Sequence, residues 1–272
     1  MKTIVIIPAR YQSSRFPGKP LVKIHGTETI LLTHAAAKSV AGVDEVYVAT
    51  DDDRIRAVAE AHKASVVMTS RNCRNGTERV AEAARTIGAK PDDIIVNFQG
   101  DAPLTPAWFV DAVVGKLKAT PDADMVTPVL RCDRDSYLRF KEDRENGRVG
   151  ATTVVFDKND RALYFSKELI PFLPSANDLD ASPVFHHVGV YAYRMSAVQA
   201  YQQWNIGGLE KPEGLEQLRF LENGAKVYVA EVDARGHEFW ELNNPTDVAI
   251  IERMMVSNAR LKQDSRLSYP AC

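Results

Sequence analysis

An uninterrupted apolar run, Ile4-Val5-Ile6-Ile7, opens the chain and stops at Pro8. A run apolar on both faces reads as a strand buried on both sides, as in a parallel sheet covered by helices. Proline cannot donate to a ladder, so the strand ends there. A loop follows that carries Arg10, Arg15 and Lys19 among Ser13, Ser14 and Gly18. Loops at the carboxyl ends of parallel strands are where open α/β sheets bind ligands. Guanidinium forks and a lysine charge suit phosphate or carboxylate oxygens. The bland alternative is a solvated basic turn. The loop is not a P-loop, because Pro20 follows Gly18-Lys19 where a helical Ser or Thr is needed, and it is not G-x-G-x-x-G.

The rest of the chain alternates in the same way. A crossover helix is expected over Ile30 to Val40, then a strand over Glu45 to Thr50. Asp51-Asp52-Asp53 is expected to cap a helix over Arg54 to His62. Ser65 to Thr69 reads as a strand, Thr77 to Ile87 as a helix, and Asp93 to Phe98 as a strand ending in Gln99-Gly100-Asp101. Repeated βαβ units give a parallel sheet with the loops after each strand on one edge. Arg10–Lys19, Thr50–Asp53, Asn75–Arg79 and Gln99–Pro103 are therefore expected to converge.

Beyond a helix over Thr105 to Lys118 and a strand over Ala123 to Leu130, Asp133 to Gly147 reads as surface helix and loop. Ala151 to Asp157 and Phe185 to Tyr193 read as strands of an inserted antiparallel element. A helix over Gly214 to Glu222, a strand over Ala225 to Val232 and a final helix over Pro245 to Leu261 complete the pattern. The tail from Lys262 to Cys272 is polar.

The 272 residues suffice for one large α/β domain with an insertion. With 34 basic against 36 acidic residues the formal charge is −2, which argues against a nucleic-acid or membrane-surface binder. The basic loop is thus a local feature. Cys73, Cys132 and Cys272 share no metal-binding spacing and read as reduced thiols. No secretory signal is expected before a core strand this close to Met1, so a cytoplasmic location is expected.

Five blocks resemble the sugar-acid cytidylyltransferases, above all the 3-deoxy-manno-octulosonate (Kdo) cytidylyltransferase family. They are Pro8 to Leu21; Asn75-Gly76-Thr77-Glu78-Arg79, similar to Ser-Gly-Thr-Glu-Arg; and Asn97-Phe98-Gln99-Gly100-Asp101-Ala102-Pro103, similar to Asn-x-Gln-Gly-Asp-x-Pro. The others are His187-Val188-Gly189-Val190-Tyr191, following Ala162-Leu163-Tyr164-Phe165-Ser166, and Leu215-Glu216-Gln217-Leu218-Arg219. The resemblance implies an α/β, mostly parallel twisted sheet of the Rossmann-like nucleotidyltransferase (GT-A-like) kind. It implies a CTP-binding part over 1–131, an antiparallel insertion over 132–210 that also makes a homodimer, and a return to the core over 211–261.

The same resemblance implies the chemistry. CTP and an anionic sugar acid give a CMP-sugar and pyrophosphate for lipopolysaccharide or capsule synthesis. Pro8, Ala9, Arg10, Ser14, Arg15 and Lys19 would wrap the nucleotide, with Thr50, Asn75, Gly76, Thr77, Arg79, Gln99 and Gly100. Gly76 and Gln99 would read cytosine, and Gly76, Thr77 and Arg79 would stand free to meet the ligand. Arg79, Gln99, His187, Tyr191, Glu216 and Gln217 would hold the sugar acid. Bland alternatives stand beside these: Thr77 and Glu78 as a helix start, His187 as a satisfied core histidine, Glu216 and Gln217 as an exposed helix face. Asp101 follows a glycine turn at a strand end, where a carboxylate facing phosphates suits magnesium; its bland alternative is a cap for the helix from Thr105.

Two positions depart from the family pattern. Asp-Thr-Pro-Glu-Asp becomes Asn243-Asn244-Pro245-Thr246-Asp247, so the expected second metal ligand is Asn243. Thr153 stands where a lysine is usual. If Glu238 to Asn243 is a strand, Glu241 falls on the side of Asn243 and supplies the lost charge. Other anionic acceptors (an 8-amino Kdo, another ulosonate, a phosphonate) and an inactive CTP-binding protein remain open alternatives.

Overall fold

The computed structural model of the chain describes residues 1–13, 16–148, 151–173 and 182–267, with side chains as far as 261. Ser14 and Arg15, two of the expected phosphate ligands, lie outside the described residues. In chain order the elements are β1 (Thr3–Ala9), β2 (Lys23–Ile24), β3 (Thr27–Glu28), α1 (Thr29–Lys38), β4 (Glu45–Thr50), α2 (Asp53–Ala61), β5 (Ser65–Met68), α3 (Gly76–Thr86) and β6 (Ile94–Phe98). Then come α4 (Ala107–Ala119), β7 (Met125–Arg131), α5 (Arg134–Glu145), β8 (Thr152–Phe156), β9 (Ala162–Ser166), β10 (Phe185–His187) and β11 (Val190–Arg194). The last are α6 (Met195–Tyr201), α7 (Glu210–Glu213), α8 (Leu218–Glu222), β12 (Val227–Glu231) and α9 (Asp247–Leu267).

The chain divides into two compact units. One comprises Lys2–Ala89, Asn97–Trp108 and the chain from Ala234. Its centre is β1, buried at all seven positions. β1 pairs in parallel with β4, and β4 with β5. The register sets Ala9 opposite Thr50 and Thr50 opposite Met68. Three consecutive strands thus end at one edge, and the loops after them must start there. Asp52 caps α2 by accepting from the Arg54 amide, and Asn75 caps α3 by accepting from the Glu78 amide at 2.8 Å. Ile24, Leu242 and Ile251 form a small core with Phe16 and Trp240, fastening the chain before α9 to the β2–β3 hairpin.

The other unit comprises Met1, Lys90–Val96 and Phe109–Asp233. β7 is its hub: β12 pairs with it in parallel, β10 and β11 antiparallel. β8 pairs antiparallel with β10 and with β9, which makes the expected antiparallel element. The expected single strand over Phe185 to Tyr193 is interrupted. His187 lies opposite Val129 but Ala192 opposite Val126, so five residues on this edge span three on β7. Such a bulge re-aims the side chains beside it. The expected helix over Gly214 to Glu222 is shorter: α8 begins at Leu218, and Gly224 closes it with a positive φ of 74°. Glu238 to Asn243 forms no regular strand. β9 and α6 had no clear periodic signal; β9 is only five residues long and exposes Leu163 while burying Ser166.

Candidate active site

Gly18 ties the end of the loop after β1 back to its start. Its φ is +76°, and its amide donates to the Tyr11 carbonyl at 2.8 Å, closing the loop on itself. A Cβ at 18 would stand 3.1 Å from the Tyr11 ring. The 3-10 turn Lys19–Leu21 starts there, with Pro20 in its first turn. This aims Lys19 at Asp101, whose carboxylate it pairs with through Nζ. Both side chains are about four-fifths buried, at 17% and 21% exposure. The expected phosphate lysine and the expected metal carboxylate are therefore partners. Asp101 does not cap the following helix, which begins only at Ala107.

Gly100 explains how Asp101 reaches this place. A Cβ at 100 would lie 2.6 Å from the Pro8 carbonyl oxygen, so the turn after β6 packs backbone against the end of β1. Thr33 Oγ1 donates to the Gly100 carbonyl at 3.2 Å and anchors the turn. At Gly76 a Cβ would instead meet the Gln99 amide and the Pro8 ring at 3.5 Å, an ordinary contact. Pro8, Gly76, Gln99 and Gly100 are thus one cluster, and the expected convergence of the four loops is present in this unit.

Three expected ligand residues face inward instead. Arg79 is 3% exposed; Nη1 donates to Thr69 Oγ1 at 2.5 Å, and Nη2 lies 3.5 Å from Asp51 Oδ2. Thr77 and Thr50 have no exposed surface, and Thr50 Oγ1 accepts from the Asp52 amide at 3.2 Å. The expectation that Thr77 and Arg79 stand free is corrected: their helix start packs them against the strand ends, where they brace the loops.

A cleft of about 710 Å³ opens at the same edge, lined by Arg10, Tyr11, Asp51, Asp52, Arg54 and Arg71 among others. Arg54 is bound to Asp52 by Nε at 3.0 Å and Nη2 at 2.7 Å, and its guanidinium lies 3.3 Å from the Tyr11 ring centroid. Asp51 faces Arg79. Both carboxylates are compensated. Arg10 and Arg71 have no ion-pair or hydrogen-bond partner among the described residues, so the cleft is net cationic. It suits an anion.

The segment carrying Asn243 is pinned by Asp247. One Asp247 oxygen accepts from the Asn243 amide at 2.8 Å and the Asn244 amide at 2.6 Å; the other accepts from Trp240 Nε1 at 3.1 Å. The Leu242 amide donates to the Asp101 carbonyl at 2.8 Å, which runs this segment alongside Asp101. Asn243 Nδ2 donates to Glu241 Oε2 at 3.3 Å. Among the described residues no group of three or more His, Cys, Asp and Glu side chains is disposed to hold a metal alone. A carboxylate, an amide oxygen and substrate phosphates form a donor set that fits a hard cation.

Of the expected sugar-acid residues, Arg79 and Gln99 belong to the unit built on β1, and His187, Tyr191, Glu216 and Gln217 belong to the other. His187 is 6% exposed; Nε2 and Thr127 Oγ1 are 2.9 Å apart, and its ring centroid is 5.5 Å from that of Tyr191. The Tyr191 hydroxyl donates to Gln217 Oε1 at 3.3 Å. Gln217 stands just ahead of α8, buried and without a side-chain capping bond, instead of lying on an exposed helix face, and Glu216 precedes it. Burial, aided by neighbouring His186, lowers the His187 pKa to about 3, so the ring is neutral at physiological pH. Its unfolded value is near 6.5. The unfolded chain therefore binds the extra proton between these values. Stability is full above about pH 6.5 and falls as the pH drops toward 3, by up to about 1.4 kcal/mol per pH unit. His187→Gln is expected to flatten the Tm-against-pH profile between pH 6.5 and 4. An unchanged slope in thermal melts would assign that dependence to other groups.

Comparison with known proteins decides the family. The family model described as Cytidylyltransferase matches residues 4–227. The chain belongs to the cytidylyltransferase family. It is 40% identical, over 96% of its length and all of the relative's, to the 3-deoxy-manno-octulosonate cytidylyltransferase of Maricaulis maris. It is 38% identical, over 95% of its length and all of the relative's, to the 8-amino-3,8-dideoxy-manno-octulosonate cytidylyltransferase of Shewanella putrefaciens. A solved CMP:2-keto-3-deoxy-manno-octonic acid synthetase in complex with CTP superposes with a TM-score of 0.82 at 31% identity, covering 95% of this chain and all of that one.

Sequence reasoning about this cytidylyltransferase missed Tyr11, Arg54 and Arg71. Tyr11 and Arg54 stack only because the first two loops meet. Arg71 carries a readable signal: it sits just past β5, at the same edge as the other loops. Burial pushes the Cys73 and Cys132 thiols up to about 12 and about 11, which disfavours the thiolate.

Proposed function

We propose that this cytidylyltransferase couples CTP to a 3-deoxy-ulosonic acid, Kdo or its 8-amino analogue, and releases pyrophosphate. The observation that carries the reading is the Lys19–Asp101 pair beside the Pro8–Gly76–Gln99–Gly100 cluster, in a chain aligned end to end with Kdo cytidylyltransferases. The anomeric hydroxyl of the acid attacks the α-phosphorus in line, and pyrophosphate leaves. Arg10, Arg15 and Lys19 neutralise the triphosphate, while Gly76 and Gln99 read cytosine at close range. Positioning and charge carry such a transfer without a covalent enzyme intermediate. His187, Tyr191, Glu216 and Gln217 hold the acid.

Asp101 and Asn243 would hold magnesium together with phosphate oxygens, and the ion would supply further charge neutralisation there. Glu241 carries the charge that Asn243 lacks. Asn243→Asp is expected to lower the magnesium concentration for half-maximal rate several-fold. The same change should appear in Mn²⁺ binding followed by electron paramagnetic resonance; unchanged metal dependence would remove Asn243 from the ligand set.

Thr153 bears on the choice of acid. Its Oγ1 donates to the Glu168 carbonyl at 2.6 Å and accepts from the Ile170 amide at 3.2 Å, a backbone brace in place of a lysine charge. Pyrophosphate release with CTP over a panel of Kdo, 8-amino-3,8-dideoxy-manno-octulosonate, other ulosonates and phosphonates tests the function. Release with none of them, or tighter calorimetric binding of ATP or UTP than CTP, would sink the reading. We place the protein in the cytoplasm, serving lipopolysaccharide or capsule synthesis; no helix among the described residues is long and apolar enough to cross a membrane. A homodimer through 132–210 draws support from the exposed Leu163 and Phe172 and is measured by light scattering.

A further inference from the structure

Arg219 closes the fifth sequence block, and nothing in the transfer as described uses it. Its side chain has no exposed surface. A buried guanidinium is tolerated only when its charge and donors are matched. Nε donates to Glu210 Oε2 and Nη2 to Glu210 Oε1, each at 2.6 Å. Lysine cannot reproduce this two-pronged pairing. The guanidinium lies 4.2 Å from the Tyr201 ring centroid, and the Tyr201 hydroxyl donates to the Glu216 carbonyl at 3.4 Å.

Two further carboxylates fasten the same stretch. Glu222 accepts from the Leu209 and Glu210 amides at 2.9 and 3.1 Å. Glu213 accepts from Ser166 Oγ at 2.7 Å and the Lys167 amide at 2.8 Å, tying the stretch to the end of β9. Residues 209–222 therefore form a bend held at three points, with Gln217 inside it. Gln217 is 2% exposed; Oε1 takes the Tyr191 hydroxyl, and Nε2 is buried without a hydrogen-bond partner among the described residues. A buried donor left unpaired is costly, so its retention points to a ligand oxygen.

We propose that Arg219 is a positioning residue for the acceptor: by pinning Glu210 it holds the 209–222 bend so that Gln217 Nε2 meets an oxygen of the sugar acid. This rests on the reading of Gln217 as an acceptor contact. Arg219 itself touches no substrate.

The test is steady-state kinetics with Kdo and CTP on Gln217→Ala, Arg219→Lys and Glu222→Gln, with folding checked by circular dichroism. The Gln217 side-chain NH₂ signal is followed by ¹⁵N NMR. Arg219→Lys is expected to raise the Kdo KM about tenfold, leave the CTP KM within about twofold, and move the Gln217 signal. If it does not fold, Glu222→Gln, which loosens the same bend more gently, is judged by the same split. A folded variant with both KM values unchanged, or both raised equally, overturns the proposal. If Gln217→Ala leaves the Kdo KM unchanged, the acceptor reading of Gln217 fails and takes the proposal with it. If Gln217→Ala raises that KM and the loosened bend does not, only the positioning role fails.

Discussion

Replacing Lys19 with alanine is expected to lower kcat/KM for CMP-sugar synthesis by about 10²–10³-fold while the protein stays folded. Lys19 is held at the start of a 3-10 turn by the Gly18 left-handed conformation and Pro20, so its ammonium is already placed. The loss is therefore a loss of preorganised charge at the triphosphate, larger in the transition state than in the ground state. The pair with Asp101 is about four-fifths buried on either side, so removing the lysine leaves that carboxylate uncompensated and should also lower stability, by up to about 3 kcal/mol. Asp101→Ala should give a loss of similar order, since it removes the carboxylate that pairs with the lysine and, in the proposed reaction, faces the phosphates. Near-normal kcat/KM in either folded variant would remove the pair from the mechanism.

A second large effect is expected at Gly100. Gly100→Ala forces a methyl to 2.6 Å from the Pro8 carbonyl oxygen, a backbone atom of the central strand that cannot swing aside. Overpacking of this kind costs about 1–3 kcal/mol, and here it also displaces Gln99 and Asp101 on either side. Both Tm and kcat/KM should fall. Gly76→Ala is the contrasting case: its methyl would make ordinary contacts at 3.5 Å with the Gln99 amide. It should melt normally yet raise the CTP KM, because the methyl covers the amide proposed to read cytosine. A Gly100→Ala variant with wild-type Tm and activity would contradict the packing argument.

How far the site was legible depends on range. The buried first strand and the helix starting at about Thr77 are decided by a few neighbouring residues and stand where the sequence placed them, although β1 does not stop at Pro8 but pairs with β4 through Pro8 to Ala9. The burial of Arg79 was not legible, because it comes from Asp51 and Thr69, on other loops. The same holds for Glu216 and Gln217, whose residue pattern fits a helix. The Glu210–Arg219 pair and the Tyr191–Gln217 contact instead hold them ahead of α8. Glu238 to Asn243 is no strand: Asp247 takes the Asn243 and Asn244 amides, and no neighbouring strand pairs with the stretch among the described residues.

By itself, then, the sequence determined the α/β alternation, the buried first strand and the edge at which its loops gather. Those follow from apolar periodicity and from the steric limits of proline and glycine, which act over a few residues. Tertiary structure decided which charges face which. Lys19 pairs with Asp101, Arg54 with Asp52, Arg79 with Asp51, and Arg219 with Glu210, while Arg10 and Arg71 are left facing the cleft. An ion pair depends on distance in space and on burial, and two residues 82 positions apart in the chain, as Lys19 and Asp101 are, carry no local sign of either.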